Sequence, residues 1–239
     1  MGEISVRFLQ GEADLRTLRQ LYDTVFTPSF VAAEREPFER LTRVLAAGEL
    51  RGAVAVTPDD EPVGALFLEW FDDIRAALLC YFAVRPDLRD QGIGRRLIAE
   101  AAPRWRAELR PHAVFAEAGD PLVHGGGEHT GDGDARLRMY AGFGARRVPI
   151  RYLMPELSPG GGRADDLLLL VVESDTEVSP EPDRIHGRLV EDFLIRYFAR
   201  QEGPVVPNDP PALPDDRLGQ LLAECRAAEF LPLFPLTGR

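Results

Sequence analysis

Residues 76–84 (AALLCYFAV) are apolar almost without interruption, and they run through a short turn into Arg89-Asp90-Gln91-Gly92-Ile93-Gly94. A strand with no polar alternation has to be covered on both faces, so it belongs inside a sheet that lies between layers of helix. Pro86 ends the strand, because it offers no N–H to a ladder. Beyond the glycines, Ile93, Leu97, Ile98, Ala101, Trp105 and Leu109 recur at helical spacing, which predicts a helix over 92–110. Buried strand, glycine turn and amphipathic helix in that order fix the class as α/β.

The flanking sequence extends this plan. Ile4, Val6 and Phe8 alternate as in a half-buried strand. Asp14 is placed to cap a helix carrying Leu15, Leu18, Leu21, Tyr22 and Val25, and a second helix is expected over 37–47. Strands over 51–57 and 62–70 are joined by Pro58-Asp59-Asp60-Glu61, whose chemistry is that of a turn. A further buried strand is expected over 112–117, then a polar, glycine-rich stretch over 119–134, a short helix over 135–142 and strands over 146–154 and 167–173. The expected fold is α/β (α+β): a mixed, mostly antiparallel sheet of about seven strands flanked by helices. It occupies residues 1–173, and a helical C-terminal extension follows over 174–239. The extension carries an amphipathic stripe over 183–201, a linker over 203–216 marked by Pro204, Pro207, Pro210, Pro211 and Pro214, and a last helix over 215–228. The stripe needs a partner surface, either its own domain or a second copy in a homodimer.

Charge narrows the function. Lys and Arg together number 28 against 39 Asp and Glu, a net charge of −11. Such a surface repels nucleic-acid phosphates and anionic membranes, so neither is an expected partner. No apolar run reaches the ~18–20 residues of a spanning helix. MGEISVRFLQ lacks the basic and apolar regions of an export signal, and Cys80 and Cys225 form no metal spacing, so the expected location is cytoplasmic with free thiols. All 28 basic residues are Arg. The bias fits a GC-rich coding sequence, and it removes every mechanism that needs a lysine.

The turn after the apolar strand has the chemistry of an anion site. Glycine lets the backbone approach a ligand, and the N–H groups of a first helical turn point outward with the positive end of the helix dipole. Arg89, Arg95 and Arg96 add charge, and a pyrophosphate suits the site. A dinucleotide fingerprint is incomplete, because Leu97 stands at its third position and several strands precede the loop. A Walker A loop fails without lysine.

The string VRPDLRDQGIGRRL resembles motif A of the GNAT superfamily of acyl-CoA N-acyltransferases, and RLRMYAGFGARR resembles that family's later Y-x-x-x-G element. The resemblance covers about residues 3–173 and implies acetyl-CoA as co-substrate. It assigns the coenzyme to Phe82, Ala83 and Val84 along the strand and to Arg89, Asp90, Gln91, Gly92, Ile93, Gly94 and Arg95 in the turn. It makes Tyr140 the general acid. Glu117 is the expected base or amine binder, with Glu69, Asp72 and Asp73 as weaker choices. Phe30, Trp70 and Tyr152 are expected to line the acceptor pocket. Where many members carry an Asn for the coenzyme arm, this chain has Gly133 and Asp134.

The implied function is transfer of an acetyl group to a primary amine of a small molecule or aminoacyl compound in a ternary complex. A non-catalytic acyl-CoA-binding module and a protein acetyltransferase are the alternatives. His124, His129, Glu128, Asp132 and Asp134 lie in a loop without metal-ligand spacing; no metal is expected, and the loop reads as a lid. Cys80 reads as packing rather than as a nucleophile.

Overall fold

The computed structural model describes residues 4–9, 11–30, 32–120, 123, 133–203 and 216–236. The chain forms two compact units, one from Met1–Trp70 and Ala77–Arg110, the other from Phe71–Ala76 and Pro111–Arg239.

The first unit is built on β1 (Ser5–Phe8), β2 (Leu50–Val56), β3 (Pro62–Phe71) and β4 (Ala76–Val84), neighbours in that order. β1 with β2 and β2 with β3 are antiparallel. On one face lie α1 (Leu15–Leu21) and α2 (Phe38–Ala46), and Leu18, Leu21, Phe26 and Leu41 pack with Val54, Phe67 and Tyr81 in a single core. Trp105 of α3 (Ile93–Leu109) meets Phe8 edge-on with ring centroids 6.4 Å apart. Cover of both faces is complete on β3, where all ten residues are buried.

Two details depart from the sequence reading. Asp14 makes no side-chain cap; the chain enters α1 through a 3₁₀ turn, Gly11–Asp14. The helix expected to continue past Leu21 widens into a π-helical turn, Tyr22–Phe26, in which Val25 and Phe26 are both buried. The wider turn shifts the helical phase enough to turn two successive apolar side chains inward.

In the second unit β5 (Ala113–Gly119), β7 (Leu167–Ser174), β6 (Arg146–Arg147) and β10 (Phe234–Pro235) are neighbours in that order, all antiparallel. α4 (Gly133–Gly142) packs against β5. β8 (Arg184–His186) pairs with β9 (Phe230–Pro232). The expected strand over 146–154 stops after two residues. Pro149 cannot donate to a ladder, and Ile150 and Tyr152 donate instead to carbonyls two residues back, Val148 and Ile150. The C-terminal extension forms α5 (Gly187–Glu202) and α6 (Arg217–Arg226). Asp216 caps α6 by accepting from the Gly219 N–H at 2.8 Å. The segment 204–215, most of the proline-rich linker, lies outside the described residues.

α5 docks within its own unit. Phe193 stacks on Phe115 of β5 with centroids 4.4 Å apart and meets Phe71 edge-on at 5.5 Å. Gly187 makes a close approach possible at its N-terminal end, where a Cβ would lie 2.2 Å from the Cys225 carbonyl oxygen on α6. The amphipathic stripe therefore finds its partner surface in the same chain. Among the described residues no helix is long and apolar enough to cross a membrane.

Candidate functional site

The turn after β4 takes the form that the sequence implies. Asp90 and Gly92 both have positive φ, +62° and +79°. Asp tolerates that region through local hydrogen bonding, and Gly enters it without penalty. Gly92 is the N-cap of α3 and offers no side chain, so the N–H groups of Ile93, Gly94 and Arg95 lack both an intrahelical carbonyl and a side-chain cap at this residue. A Cβ built on Gly92 meets nothing within 4 Å, so the space beside the N-cap is open. Gly94 serves a different need, since a Cβ there would lie 2.9 Å from the Phe82 ring. Ile93 anchors the helix start in the core, while Arg89, Gln91 and Arg95 are exposed around it. Arg89 Nε donates to the Val84 carbonyl at 3.4 Å, and Arg96 turns away to Glu100 at 2.9 Å. Ala83 is buried and Phe82 and Val84 partly so. Open space, bare donors and flanking guanidinium groups fit a pyrophosphate-bearing coenzyme.

In the same unit Phe30 lies edge-on to Tyr81 at 5.2 Å and to Phe26 at 6.1 Å. The Trp70 ring is buried, and its backbone N–H donates to Glu49. Sequence reading ranked Glu69 low as a base. It is 2 % exposed, and one carboxylate oxygen lies 3.2 Å from Arg40, which also holds Glu36 at 3.1 Å. The Tyr81 hydroxyl accepts from the Glu36 N–H at 2.8 Å, so this cluster ties the segment before α2 to β3 and β4. Burial first, then the charges of Glu69 and Glu36, pushes the Cys80 thiol well above its ordinary range. That is the setting of a packing residue rather than a nucleophile.

In the second unit Glu117 of β5 is partly buried and joined by two tyrosines. The Tyr152 hydroxyl donates to Oε1, and the Tyr197 hydroxyl of α5 donates to Oε2 at 3.3 Å. Burial first, then the Glu117 carboxylate, holds the Tyr152 phenol well above its usual range, so it keeps its proton and remains the donor. Tyr152 also lines a cleft of about 360 Å³ beside Asp120, Arg151 and Arg217. Asp73 is drawn off to Arg196 at 2.6 Å, and Asp72 is exposed.

Tyr140 is 5 % exposed in the last turn of α4. Its carbonyl accepts from Ala145, and the Gly144 N–H donates to Ala141. With Gly144 at φ +82° this is a Schellman stop. The four-residue spacing of Tyr and Gly therefore has a local cause: the glycine ends the helix that carries the tyrosine. The proposed lid residues His124, Glu128, His129 and Asp132 lie outside the described residues, as does the side chain of Asp134. His112, Asp175 and Glu177 place ligand-type atoms within 4.8 Å of one another. Asp175 there accepts from the His112 ring nitrogen at 2.7 Å and from the backbone N–H groups of Glu177 and Val178, which explains the grouping as a strand-end clasp.

Sequence reading placed Tyr197 on the amphipathic stripe over 183–201 and gave it no part in the site. Its signal is weak: a tyrosine four residues after Phe193 on an apolar stripe, indistinguishable from core until β5 is seen beneath it.

Comparison with known proteins agrees with this geometry. Residues 49–141 match the family model described as an acetyltransferase (GNAT) domain. The fold resembles a GNAT-family acetyltransferase structure from Bacteroides thetaiotaomicron, with TM-score 0.56, 20% identity, and coverage of 80% of this chain and 98% of that one. It also resembles a dodecameric spermidine N-acetyltransferase from Vibrio cholerae, with TM-score 0.50, 17% identity, and coverage of 74% and 98%. No curated protein matches the sequence. Residues 49–141 thus match an acetyltransferase (GNAT) domain, and the fold of the chain resembles that of GNAT-family structures.

Proposed function

We propose that the protein transfers an acetyl group from acetyl-CoA to a primary amine of a small molecule or aminoacyl compound. The observation that carries this reading is the turn at Gly92, with open space beside the N-cap, a first helical turn without a side-chain cap, and Arg89 and Arg95 exposed near it in the sequence. Residues 89–95 hold the coenzyme pyrophosphate there, and Phe82, Ala83 and Val84 run along its arm. Acetyl-CoA supplies a thioester whose carbonyl carbon gains the amine nitrogen and loses the sulfur. A main-chain N–H near Ala83 or Val84 donates to the carbonyl oxygen as charge builds on it. Glu117 binds the incoming amine, whose ordinary pKa is about 10; the ammonium proton leaves to solvent before attack, and Glu117 takes the second proton that the nitrogen sheds as the amide forms. Tyr140 returns a proton to the departing sulfur. Phe30, Trp70 and Tyr152 are assigned to the acceptor side.

The test is thiol release from acetyl-CoA in the presence of a polyamine, a monoamine and an amino-acid amide, with wild type and Tyr140→Phe compared. A product heavier by one acetyl group, formed at least tenfold more slowly by the variant, supports the reading. Coenzyme binding without transfer to any amine would make the protein a binding module instead.

A further inference from the structure

We infer that Tyr197, on the C-terminal helix α5, is a positioning residue for Glu117, so that the extension forms part of the amine-handling site. The inference rests on the reading of Glu117 given above. Its ground is the registry of α5 on β5. Phe115 and Glu117 are two residues apart on one face of the strand, about 6.7 Å. Phe193 and Tyr197 are four apart on the helix, about 6 Å. The two spacings nearly match, so the stack of Phe193 on Phe115 at 4.4 Å brings the Tyr197 hydroxyl to Glu117. Phe193 and Tyr197 are themselves stacked at 5.7 Å, which removes freedom between the anchor and the hydroxyl.

The Glu117 carboxylate then has one oxygen held by Tyr152 and the other by Tyr197. Both tyrosines are almost wholly buried, at 4 % and 2 % exposure, whereas Glu117 retains partial exposure. A free glutamate has three rotatable torsions; two donors fix its plane. Neither donor lies within residues 49–141, the segment that matches the family model. Glu117 comes from the shared domain, and its orientation comes from residues beyond it.

Tyr197→Phe keeps the ring and its stacking and removes one hydroxyl. The variant is compared with wild type and Glu117→Gln in three measurements: melting temperature, the pH profile of amine acetylation, and the titration of the Glu117 carboxyl followed by ¹³C NMR in the coenzyme-free protein. We expect a cooperative melt within a few degrees of wild type. We also expect a kcat about tenfold lower at unchanged KM for acetyl-CoA, with both the Glu117 titration and the acidic limb of the profile moved to higher pH. A Glu117 titration identical to wild type overturns the inference while leaving the reading of Glu117 intact. Wild-type turnover by Glu117→Gln, or no transfer by the wild type, overturns that reading and the role of Tyr197 with it. Should Tyr197→Phe fail to fold, Tyr152→Phe with Tyr197 intact tests the same grip: an unmoved Glu117 titration overturns it.

Discussion

The turn at Gly92 and the cluster at Glu117 are built from different kinds of sequence. The turn is contiguous: Val84 to Arg95 supply its strand end, its two positive-φ residues and its bare N–H groups. The cluster joins residues 117, 152 and 197, separated by 35 and 80 positions from its centre. In the first, backbone conformation makes the chemistry, and conformation is written locally. In the second, packing makes it, and every part depends on a helix and an irregular segment arriving in register. Damage to the turn should therefore be local, whereas damage to the cluster should propagate from residues that never touch substrate.

The sharpest way to break this contrast is Phe193→Ala, which removes a fully buried ring between α5 and β5. A loss of about 3–5 kcal/mol is expected on unfolding in denaturant. Acetyl transfer should fall while acetyl-CoA affinity stays within about threefold, since the turn lies elsewhere. Equal loss of both would show that the two sites are not separable. Next in size is Glu117→Gln, for which kcat should drop about 10²–10³-fold in steady-state assays without weakening acetyl-CoA binding. Tyr140→Phe should follow at about 10–100-fold, with its largest deficit for the poorest leaving thiols when acyl-thiol analogues are compared.

The smallest effect concerns the cysteines. Burial raises Cys225 to about 12 and Cys80 well above 9.0. Both should resist a thiol reagent at pH 8 in the native protein and react once it is unfolded. The sign of the linked stability follows. From about pH 9 upward the unfolded chain releases these protons and the native state holds them, so stability falls as pH rises toward 12. Urea midpoints measured at pH 8 and pH 10 check this, and a rise at pH 10 would contradict it.

The same contrast explains what was legible beforehand. Gly92 and the Tyr140–Gly144 spacing each encode a local conformation, and the structure shows the cause in each case: a positive-φ N-cap and a helix stop. The apolar run 76–84 forms the expected strand, but Leu79, Cys80, Phe82 and Val84 are only partly buried, so its cover is incomplete. The departures came where tertiary packing overrides local pattern. Tyr22–Phe26 widens so that Val25 and Phe26 both reach the core. Pro149 ends β6 and frees Tyr152 from a ladder, which lets its hydroxyl reach Glu117. Tyr197 could not be told from core, because its partner lies 80 residues away. The short strands β8, β9 and β10 carry too few residues for any periodicity to show.

The account stands most directly on the turn as a coenzyme site. Acetyl-CoA and free CoA are titrated calorimetrically into wild type and into Gly92→Glu, which places a side chain and a negative charge in the open space beside the N-cap. The positive φ adds strain of roughly 1 kcal/mol, so the melting temperature is followed alongside. The account predicts affinity on the order of micromolar for wild type and a loss of at least about a hundredfold in a variant that still folds. Absence of binding by the wild type, or equal binding by the folded variant, would contradict it.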